Sequence, residues 1–256
     1  MNIISCFKVV PDEQDITIKP NRDISFEKAP MTISAYDLNC IEAGAQLAEA
    51  FEGNLIGVSI GAKKIDDSKL KKNVLSRGPE SILMVADDFL EDLDTYQTAN
   101  ALKAAIQKVG EFDLILCGEG SADLYAQQVG AQLGQLLNVP VINSVNKIAL
   151  MEGKVIVERS LEDEVETIEI PLPAVISVTS DINLPRIPSM KQILAAGKKS
   201  ATILSALDVG IGDFGATLQV IETKAPEQKE RKKDIIQGDS DEAIKSFITK
   251  INKVLK

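Results

Sequence analysis

Short apolar segments alternate with helical patterns through the first half of the chain. Four segments rich in Ile, Leu and Val carry apolar residues on both faces, as the strands of a buried parallel sheet do. Between them, apolar residues recur at three- and four-residue steps, which is typical of helices that cover a sheet with one face. This alternation predicts a doubly wound, mostly parallel α/β sheet. The predicted strands are Asn2–Phe7, Leu55–Ile60, Ser81–Val85 and Asp113–Cys117, and the helical stripes are Leu38–Ala48, Ala99–Val109 and Val129–Leu137.

After Pro140 the pattern changes to segments in which apolar and polar residues alternate. Val145–Leu150, Val155–Ser160 and Glu166–Ile170 are separated by turn residues, which predicts a small antiparallel meander with one solvated face. A buried strand is expected after Pro173, because proline can open a strand but does not fit in its middle.

The chain is expected to divide near Lys199. Residues 1–199 form the predicted α/β domain, with an exposed loop near 184–193, and residues 200–256 form an extended C-terminal arm. The arm ends in a predicted helix capped by Asp239 or Ser240. An apolar arm without a sheet of its own must cover either the chain's own core or a partner subunit, and the partner is favoured. The apolar stripe of the helix is Ile244, Phe247, Ile251 and Val254.

Composition excludes several functions. The chain of 256 residues has no histidine, which removes Ser-His-Asp and Cys-His nucleophiles, histidine proton shuttles and histidine metal sites. Its net charge of −10 disfavours nucleic acid as a partner, since that affinity depends on cations that neutralise phosphates. The three cysteines are widely spaced, which favours a reducing compartment. No segment approaches the roughly 18 apolar residues of a membrane span, so we expect a cytoplasmic protein.

The strongest local motif is the loop Gly118–Asp123, which follows a predicted strand and precedes a predicted helix. Its two glycines let a ligand approach the main chain, and free amides at a helix start, with Asp123 as cap, can accept an anion. A tight turn that binds no ligand is the alternative. The loop contains no Lys or Arg, and it matches neither a P-loop nor a Rossmann fingerprint. A nucleoside monophosphate or a pyrophosphate bridge therefore fits better than ATP with magnesium.

Sheet topology predicts where such a ligand would lie. In open α/β sheets the ligand binds beyond the carboxyl ends of the strands, where the strand order reverses. The loops expected there are Cys6–Pro11, Ser34–Asp37, Ile60–Lys63 and Gly118–Asp123. Their small residues leave room for a flat base, or they simply close the packing of strands on helices.

Two further features have alternative interpretations. The acidic cluster Glu162–Glu164 with Glu166 could support acid–base chemistry, but its position in a hairpin turn favours a solvated turn. Met190 follows an exposed segment and is either a core residue or an adaptable contact for a partner, because methionine packs tolerantly.

Three segments resemble the β subunit of electron transfer flavoproteins. The most specific is Val157–Ser177, which reads VERSLEDEVETI and, four residues later, PAVIS. The opening CFKVVPD (Cys6–Asp12) and the segment NLPRIPSMK (Asn183–Lys191) also match, so the similarity covers essentially the whole chain. The sequences VPDEQD, LSRGPE and DLYAQQVG further resemble a bacterial branch of the family that is linked to anaerobic carnitine metabolism.

The resemblance implies an adenine nucleotide α-hydrolase-like fold and a heterodimer with an α subunit that holds the redox FAD. It implies an electron carrier and not an enzyme, docking on an acyl-CoA dehydrogenase-like or other redox partner. Met190 aligns with the docking residue of the family, and Glu166 with a carboxylate that positions the flavin domain of the α subunit. The implied AMP pocket of this chain comprises Cys6, Ser34, Ala35, Tyr36, Asp37, Ile60, Gly118, Glu119, Gly120, Ser121, Ala122, Asp123, Leu124, Tyr125, Ala126, Gln127, Gln128 and Val129.

The chain departs from one pattern in the family. Members that bifurcate electrons bind a second FAD in this pocket with a Gly-Asp-Thr run, which here reads Leu124-Tyr125-Ala126. AMP is therefore favoured, and a second FAD remains an alternative. Two other functions are alternatives. A stand-alone nucleotide-binding module of the universal-stress type would lack the meander and the arm. An enzyme that activates a substrate with ATP would need a lysine at the glycine loop.

Overall fold

The structure is a computed structural model that describes residues 1–212, 215, 217–227 and 233–255. Part of the predicted C-terminal arm therefore lies outside the described residues. The strands are β1 Asn2–Cys6, β2 Val9–Pro11, β3 Thr17–Ile18, β4 Ile24–Ser25, β5 Met31–Ile33, β6 Asn54–Gly61, β7 Ser81–Ala86, β8 Leu114–Gly118, β9 Val141–Met151, β10 Lys154–Ser160, β11 Val165–Pro171, β12 Ala174–Val178 and β13 Ser200–Leu204. The α-helices are α1 Ala35–Ala50, α2 Ser68–Leu75, α3 Thr95–Val109, α4 Val129–Leu137, α5 Met190–Ala196 and α6 Asp241–Val254.

Nine of the strands form one sheet in the order β11-β10-β9-β12-β8-β1-β6-β7-β13. Seven neighbouring strands run parallel to one another: β9, β12, β8, β1, β6, β7 and β13. Strands β10 and β11 extend the β9 edge as an antiparallel meander. The predicted doubly wound sheet and the meander are both confirmed. The pairs β2–β5 and β3–β4 form small separate hairpin-like sheets in the connection between β1 and α1.

Helices cover both faces of the parallel part of the sheet. Strands β1, β8 and β12 are almost wholly buried, which explains why their sequences are apolar without alternation. The first face packs against α1, α2 and α5, and the second against α3 and α4. The meander, in contrast, buries Val155, Val157 and Ile170 and exposes the residues between them, as its alternating sequence predicted.

The α/β layer extends beyond the boundary expected near Lys199. Strand β13 pairs with β7 in parallel, and Val209 and Ile211 belong to the core on the α3 face. The sequence pattern places Ser200–Leu204 in the arm, yet the open edge of β7 offers this segment backbone hydrogen-bond partners.

Two short helices were not predicted. Helix α2 has only eight residues, several of them lysine, so its apolar stripe of Leu70, Val74 and Leu75 is brief. Helix α5 replaces the end of the loop expected near 184–193: the loop stops at Ser189, whose hydroxyl accepts a hydrogen bond from the amide of Gln192 in a capping box.

The last predicted helix is confirmed as α6. Ser240 is its N-cap, with the side chain accepting a hydrogen bond from the amide of Ala243 at 3.2 Å. None of its residues is buried by the described part of the chain. Its apolar face is thus open in this structure.

Substitution in the central sheet tests the importance of the buried core between the sheet and its helices. Ile115 on β8 is fully buried between the sheet and α3, whereas Ile221 is 93% exposed. We expect Ile115→Ala to lower the free energy of unfolding by about 2–5 kcal/mol, because transfer and cavity costs add. The matched control Ile221→Ala is expected to change it by less than about 0.5 kcal/mol. Chemical denaturation measures both, and equal effects would contradict the assigned core.

Candidate functional site

The strand order reverses between β1 and β8. From β1 the chain proceeds through β6 and β7 towards one edge, whereas β8 and β12 lead towards the other. The carboxyl ends of β1 and β8, at Cys6 and Gly118, therefore border a crevice of the kind in which open α/β sheets bind ligands. The N-terminus of α1 reaches the same place, because α1 packs on both strands.

Asp37, in the first turn of α1, is the central polar group of this crevice. Its Oδ2 atom accepts a hydrogen bond of 2.7 Å from the amide of Lys8, just beyond β1, and the carboxylate also accepts one from the amide of Gly118. A Cβ atom on residue 118 would lie 2.5 Å from Asp37 Oδ1, so only glycine allows this approach. One carboxylate thus joins the ends of β1, β8 and α1.

The pKa of Asp37 is raised from 3.8 to about 7. Burial is the main cause, since the carboxylate loses its hydration, and the hydrogen bonds from Lys8 and Gly118 and the charge of Lys8 offset only part of that cost. The group is therefore close to half ionised near neutral pH.

The sequence analysis expected Asp123 to cap the following helix, but it does not. Helix α4 begins only at Val129, after Gln128, and the intervening residues form a turn. Asp123 instead accepts a hydrogen bond of 2.5 Å from the ammonium of Lys8. Burial raises the pKa of the Asp123 carboxyl, but the hydrogen bonds from Lys8, Ser121 and Leu124 and the charge of Lys8 together outweigh it, so the pKa lies below its usual value.

Lys8 therefore supplies the positive charge that the glycine loop itself lacks. Sequence reasoning overlooked it because it lies far from the loop along the chain, although a lysine directly after an apolar strand is a detectable signal. The loop sequence Gly118–Asp123 contains no lysine, as expected. In the folded chain, however, Lys8 lies beside the loop.

The loop's main chain faces the start of α1. Ser34 is fully buried, and its hydroxyl accepts a hydrogen bond of 3.3 Å from the amide of Ala122. Among the described residues, the amides of Gly120 and Ser121 make no hydrogen bond to another protein group. These two amides are available to an anion.

Two tyrosines cover this part of the loop. The rings of Tyr36 and Tyr125 pack with their centroids 5.0 Å apart and their planes at 42°. The Tyr125 ring lies directly against Gly120, where a Cβ atom would come within 2.6 Å of it. Tyr125 has a φ of 47° and Gln127 a φ of 57°, both in the left-handed region that non-glycine residues rarely adopt. The Tyr125 ring therefore limits the space beside Gly120.

The structure brings together most, but not all, of the predicted site residues. Cys6, Ser34–Asp37 and Gly118–Asp123 surround the crevice, and Ile60 is the last residue but one of β6, the strand next to β1. The segment Leu124–Gln128 is exposed on the outside of the loop. Within it, Gln128 accepts a hydrogen bond from the Thr95 hydroxyl at the start of α3, and Val129 begins α4.

The floor of the crevice contains thiols and no reactive nucleophile. Cys6, Cys40 and Cys117 are buried and free. The hydrogen bond between Cys6 and Cys117, together with burial, raises the pKa of the Cys6 thiol, and burial raises that of Cys40. The raised pKa values keep the thiols of Cys6 and Cys40 protonated, and a protonated thiol does not attack a substrate.

The residues predicted to contact a partner lie far from the crevice in the sequence and on other elements. Met190 begins α5 and is mostly exposed. Glu166 lies on the edge strand β11, where its Oε2 atom accepts a hydrogen bond of 2.6 Å from Arg159 Nε on β10.

No group of His, Cys, Asp or Glu suited to hold a metal is found in the described part of the chain. None of the described helices combines the length and apolar character that a membrane crossing requires.

Fold and site together define a doubly wound α/β protein with a ligand crevice at the strand reversal. The sequence model of the electron transfer flavoprotein domain matches residues 24–209. Since this range covers most of the chain, the protein belongs to the electron transfer flavoprotein family. Proteins of this family carry electrons with flavin in a complex of flavoprotein subunits, and they are not classical enzymes. Cys6 and Lys8 lie outside the matched range, so their part in the crevice rests on the structure.

The raised pKa of Asp37 predicts a pH dependence of stability. The carboxyl titrates near 7 in the folded protein and near 3.8 when unfolded, so the folded state binds more protons between these values. Stability therefore falls as pH rises, by about 2–3 kcal/mol between about pH 5 and pH 8. The absence of histidine keeps imidazole titration out of this window.

Urea denaturation at the two pH values measures the effect. Asp37→Asn is expected to remove most of the difference, and Asp163→Asn, in an exposed turn, is expected to retain it. Each variant is compared with itself at the two pH values. This comparison cancels any pH-independent effect of the introduced asparagine on the free energy of unfolding. A wild-type stability that is flat or rises over this range would contradict the assignment.

Proposed function

We propose that the chain is the β subunit of an electron transfer flavoprotein, pairing with an α subunit that carries the redox FAD. The complex would shuttle electrons between partner dehydrogenases and an acceptor, and this chain would perform no bond chemistry. Membership of the family supports this role, as does a site without histidine or an ionised thiol. The FAD of the complex would supply the electron transfer itself.

The observation that carries the proposal is the open apolar face of α6. Five apolar side chains of α6, and that of Leu255 just beyond its end, lie at helical spacing on one side, and each is at least partly exposed. A continuous apolar face of this kind is unfavourable in water unless another surface covers it. We infer that the α subunit covers it, so that α6 packs on that subunit. The residues are Ile244, Phe247, Ile248, Ile251, Val254 and Leu255.

We further propose that the crevice holds AMP. The free amides of Gly120 and Ser121 suit one phosphate, and Lys8 supplies a cation beside them. The carboxylates of Glu119 and Asp123 would repel a larger anion, which favours a single phosphate over a triphosphate. The tyrosine pair offers aromatic surface to a base.

A second FAD in this crevice is the less favoured alternative. Leu124 stands on the exposed outside of the loop, and Tyr125 occupies the space against Gly120. The residues of this chain would thus bind and orient a nucleotide that stabilises the subunit, while the electrons would pass through the α subunit.

The exposed segment before α5 is proposed to dock on the redox partner. Leu184, Ile187 and Met190 are among the most exposed apolar residues of the described chain. We propose an acyl-CoA dehydrogenase-like flavoprotein as the partner class, and carnitine-linked metabolism in the cytoplasm as the setting, on the sequence resemblance given above.

Co-purification with the α subunit tests the proposal. Phe247→Glu places a charge in the centre of the apolar face of α6, and Ser246→Glu places the same charge on the opposite side. We expect Phe247→Glu to lower the yield of the flavin-containing complex by more than about tenfold, since a buried unpaired charge costs several kcal/mol. Ser246→Glu is expected to leave the yield unchanged.

The measurement is the flavin absorbance that is retained with an affinity-tagged chain after co-expression with the FAD-bearing subunit encoded in the same organism. A wild-type chain that remains a monomer without flavin would refute the proposed function. Equal losses in the two variants would refute the assignment of α6 as the contact surface.

A further inference from the structure

The exposed segment before α5 is unusual because its apolar side chains point to solvent while its main chain is tightly held. Leu184 is 90% exposed and Ile187 is 92% exposed. Between them, the side chain of Arg186 is only 22% exposed and turns inward to α1. Neighbouring residues thus take opposite roles, with apolar residues presented to solvent and one cation used as an anchor.

Arg186 is bound by two glutamates of α1. Its Nε atom donates to Glu42 Oε2 at 2.6 Å, and Nη1 donates to Glu49 Oε1 at 2.5 Å. Nη2 reaches both carboxylates at 3.2 Å, so the guanidinium bridges two turns of the helix. A planar guanidinium held in this way has little freedom, unlike a lysine in the same place.

The same contacts fix the main chain as well as the side chain. The amide of Arg186 donates to Glu42 Oε2 at 3.1 Å, and the carbonyl of Arg186 accepts from Arg77 Nη1 at 2.6 Å. The side chain of Glu42 is 6% exposed, and Gln46 also donates to it. Burial of a charge in this manner is tolerated only because several donors surround it.

A second anchor lies one helical turn before Glu42. The side-chain amide of Asn39 donates to the carbonyls of Ser180 and Asn183, and the side-chain amide of Asn183 donates back to the carbonyl of Asn39. Asn39, Glu42 and Glu49 lie at helical spacing on one side of α1. This side of the helix holds residues 180–186 along its length.

We propose that Glu42 is a positioning residue that fixes the main chain at Arg186, so that Leu184, Ile187 and Met190 form a rigid apolar docking surface for a flavoprotein dehydrogenase. This inference rests on the proposed function for the identity of the partner. Its physical basis is preorganisation: a segment that is already ordered loses less conformational entropy when it docks. Glu42 touches neither partner nor cofactor and acts only through Arg186.

Hydrogen exchange tests the positioning directly and needs no partner. In Glu42→Gln, we expect the amide of Arg186, which donates to Glu42 Oε2, to exchange about tenfold faster, because local opening becomes easier while the fold is kept. Glu111→Gln, in the exposed connection between α3 and β8, is the control and should leave the exchange of this amide unchanged. Arg186→Lys serves as a second variant if Glu42→Gln fails to fold, since it keeps the charge and loses the bidentate contact.

Unchanged exchange at the Arg186 amide in a folded variant would overturn the proposal. So would an increase spread evenly over the sheet, because that would mark Glu42 as a general stability residue.

Electron transfer to the complex provides the second readout. The probe is a medium-chain acyl-CoA dehydrogenase with its acyl-CoA substrate, and dithionite serves as a docking-independent reductant. We expect Glu42→Gln to raise the KM for the complex about fivefold with kcat nearly unchanged, since docking and not chemistry is affected. Reduction by dithionite should not change.

Combination with Met190→Ala separates positioning from direct contact. If Glu42 acts through the docking surface, the fold-increase in KM of the double variant should be far smaller than the product of the fold-increases of the two single variants. Independent, multiplying effects would contradict the proposal. If the dehydrogenase fails to reduce even the wild-type complex, the proposed partner class is wrong, and the hydrogen-exchange result still decides the role of Glu42.

Discussion

The burial of the Asp37 carboxylate is the interaction on which the site depends. Removing a carboxylate from water is costly, and the amides of Lys8 and Gly118 repay only part of that cost, which is why its pKa rises to about 7. In return, a single side chain fixes the ends of β1 and β8 relative to the start of α1. It also requires glycine at position 118, so the crevice and its glycine loop follow from one constraint.

Helix α1 serves two surfaces of the molecule. Its first turn, with Ser34 and Asp37, forms one wall of the crevice, and the polar side that follows holds the exposed segment before α5. A helix packed on the buried strands β1 and β8 is among the least mobile elements of an α/β domain. Both surfaces are therefore built on a rigid support, which suits a subunit whose proposed task is to bind and orient and not to react.

Much of the fold could be predicted from sequence, because buried parallel strands, amphipathic helices and an alternating meander have distinct periodicities. Strand β13 and helix α2 were missed, since short elements are stabilised by neighbouring strands and helices that the local pattern does not contain. In the site, the glycine loop and α1 were found, but the pairing of Lys8 with Asp123 was not, because it joins residues far apart along the chain. Likewise, the late start of α4 reflects the turn at Ser121–Tyr125, whose hydrogen bond between Tyr125 N and Ser121 O ends the loop before the helix begins.

The nucleotide content of the purified complex tests the central claim most directly, namely that the crevice beside Asp37 holds an adenine nucleotide while the redox flavin belongs to the partner. Heat-released nucleotides would be separated and quantified against the protein concentration. The account predicts one FAD and one AMP for each pair of subunits. An active complex that releases FAD alone, with no AMP, or that releases two equivalents of FAD, would contradict it.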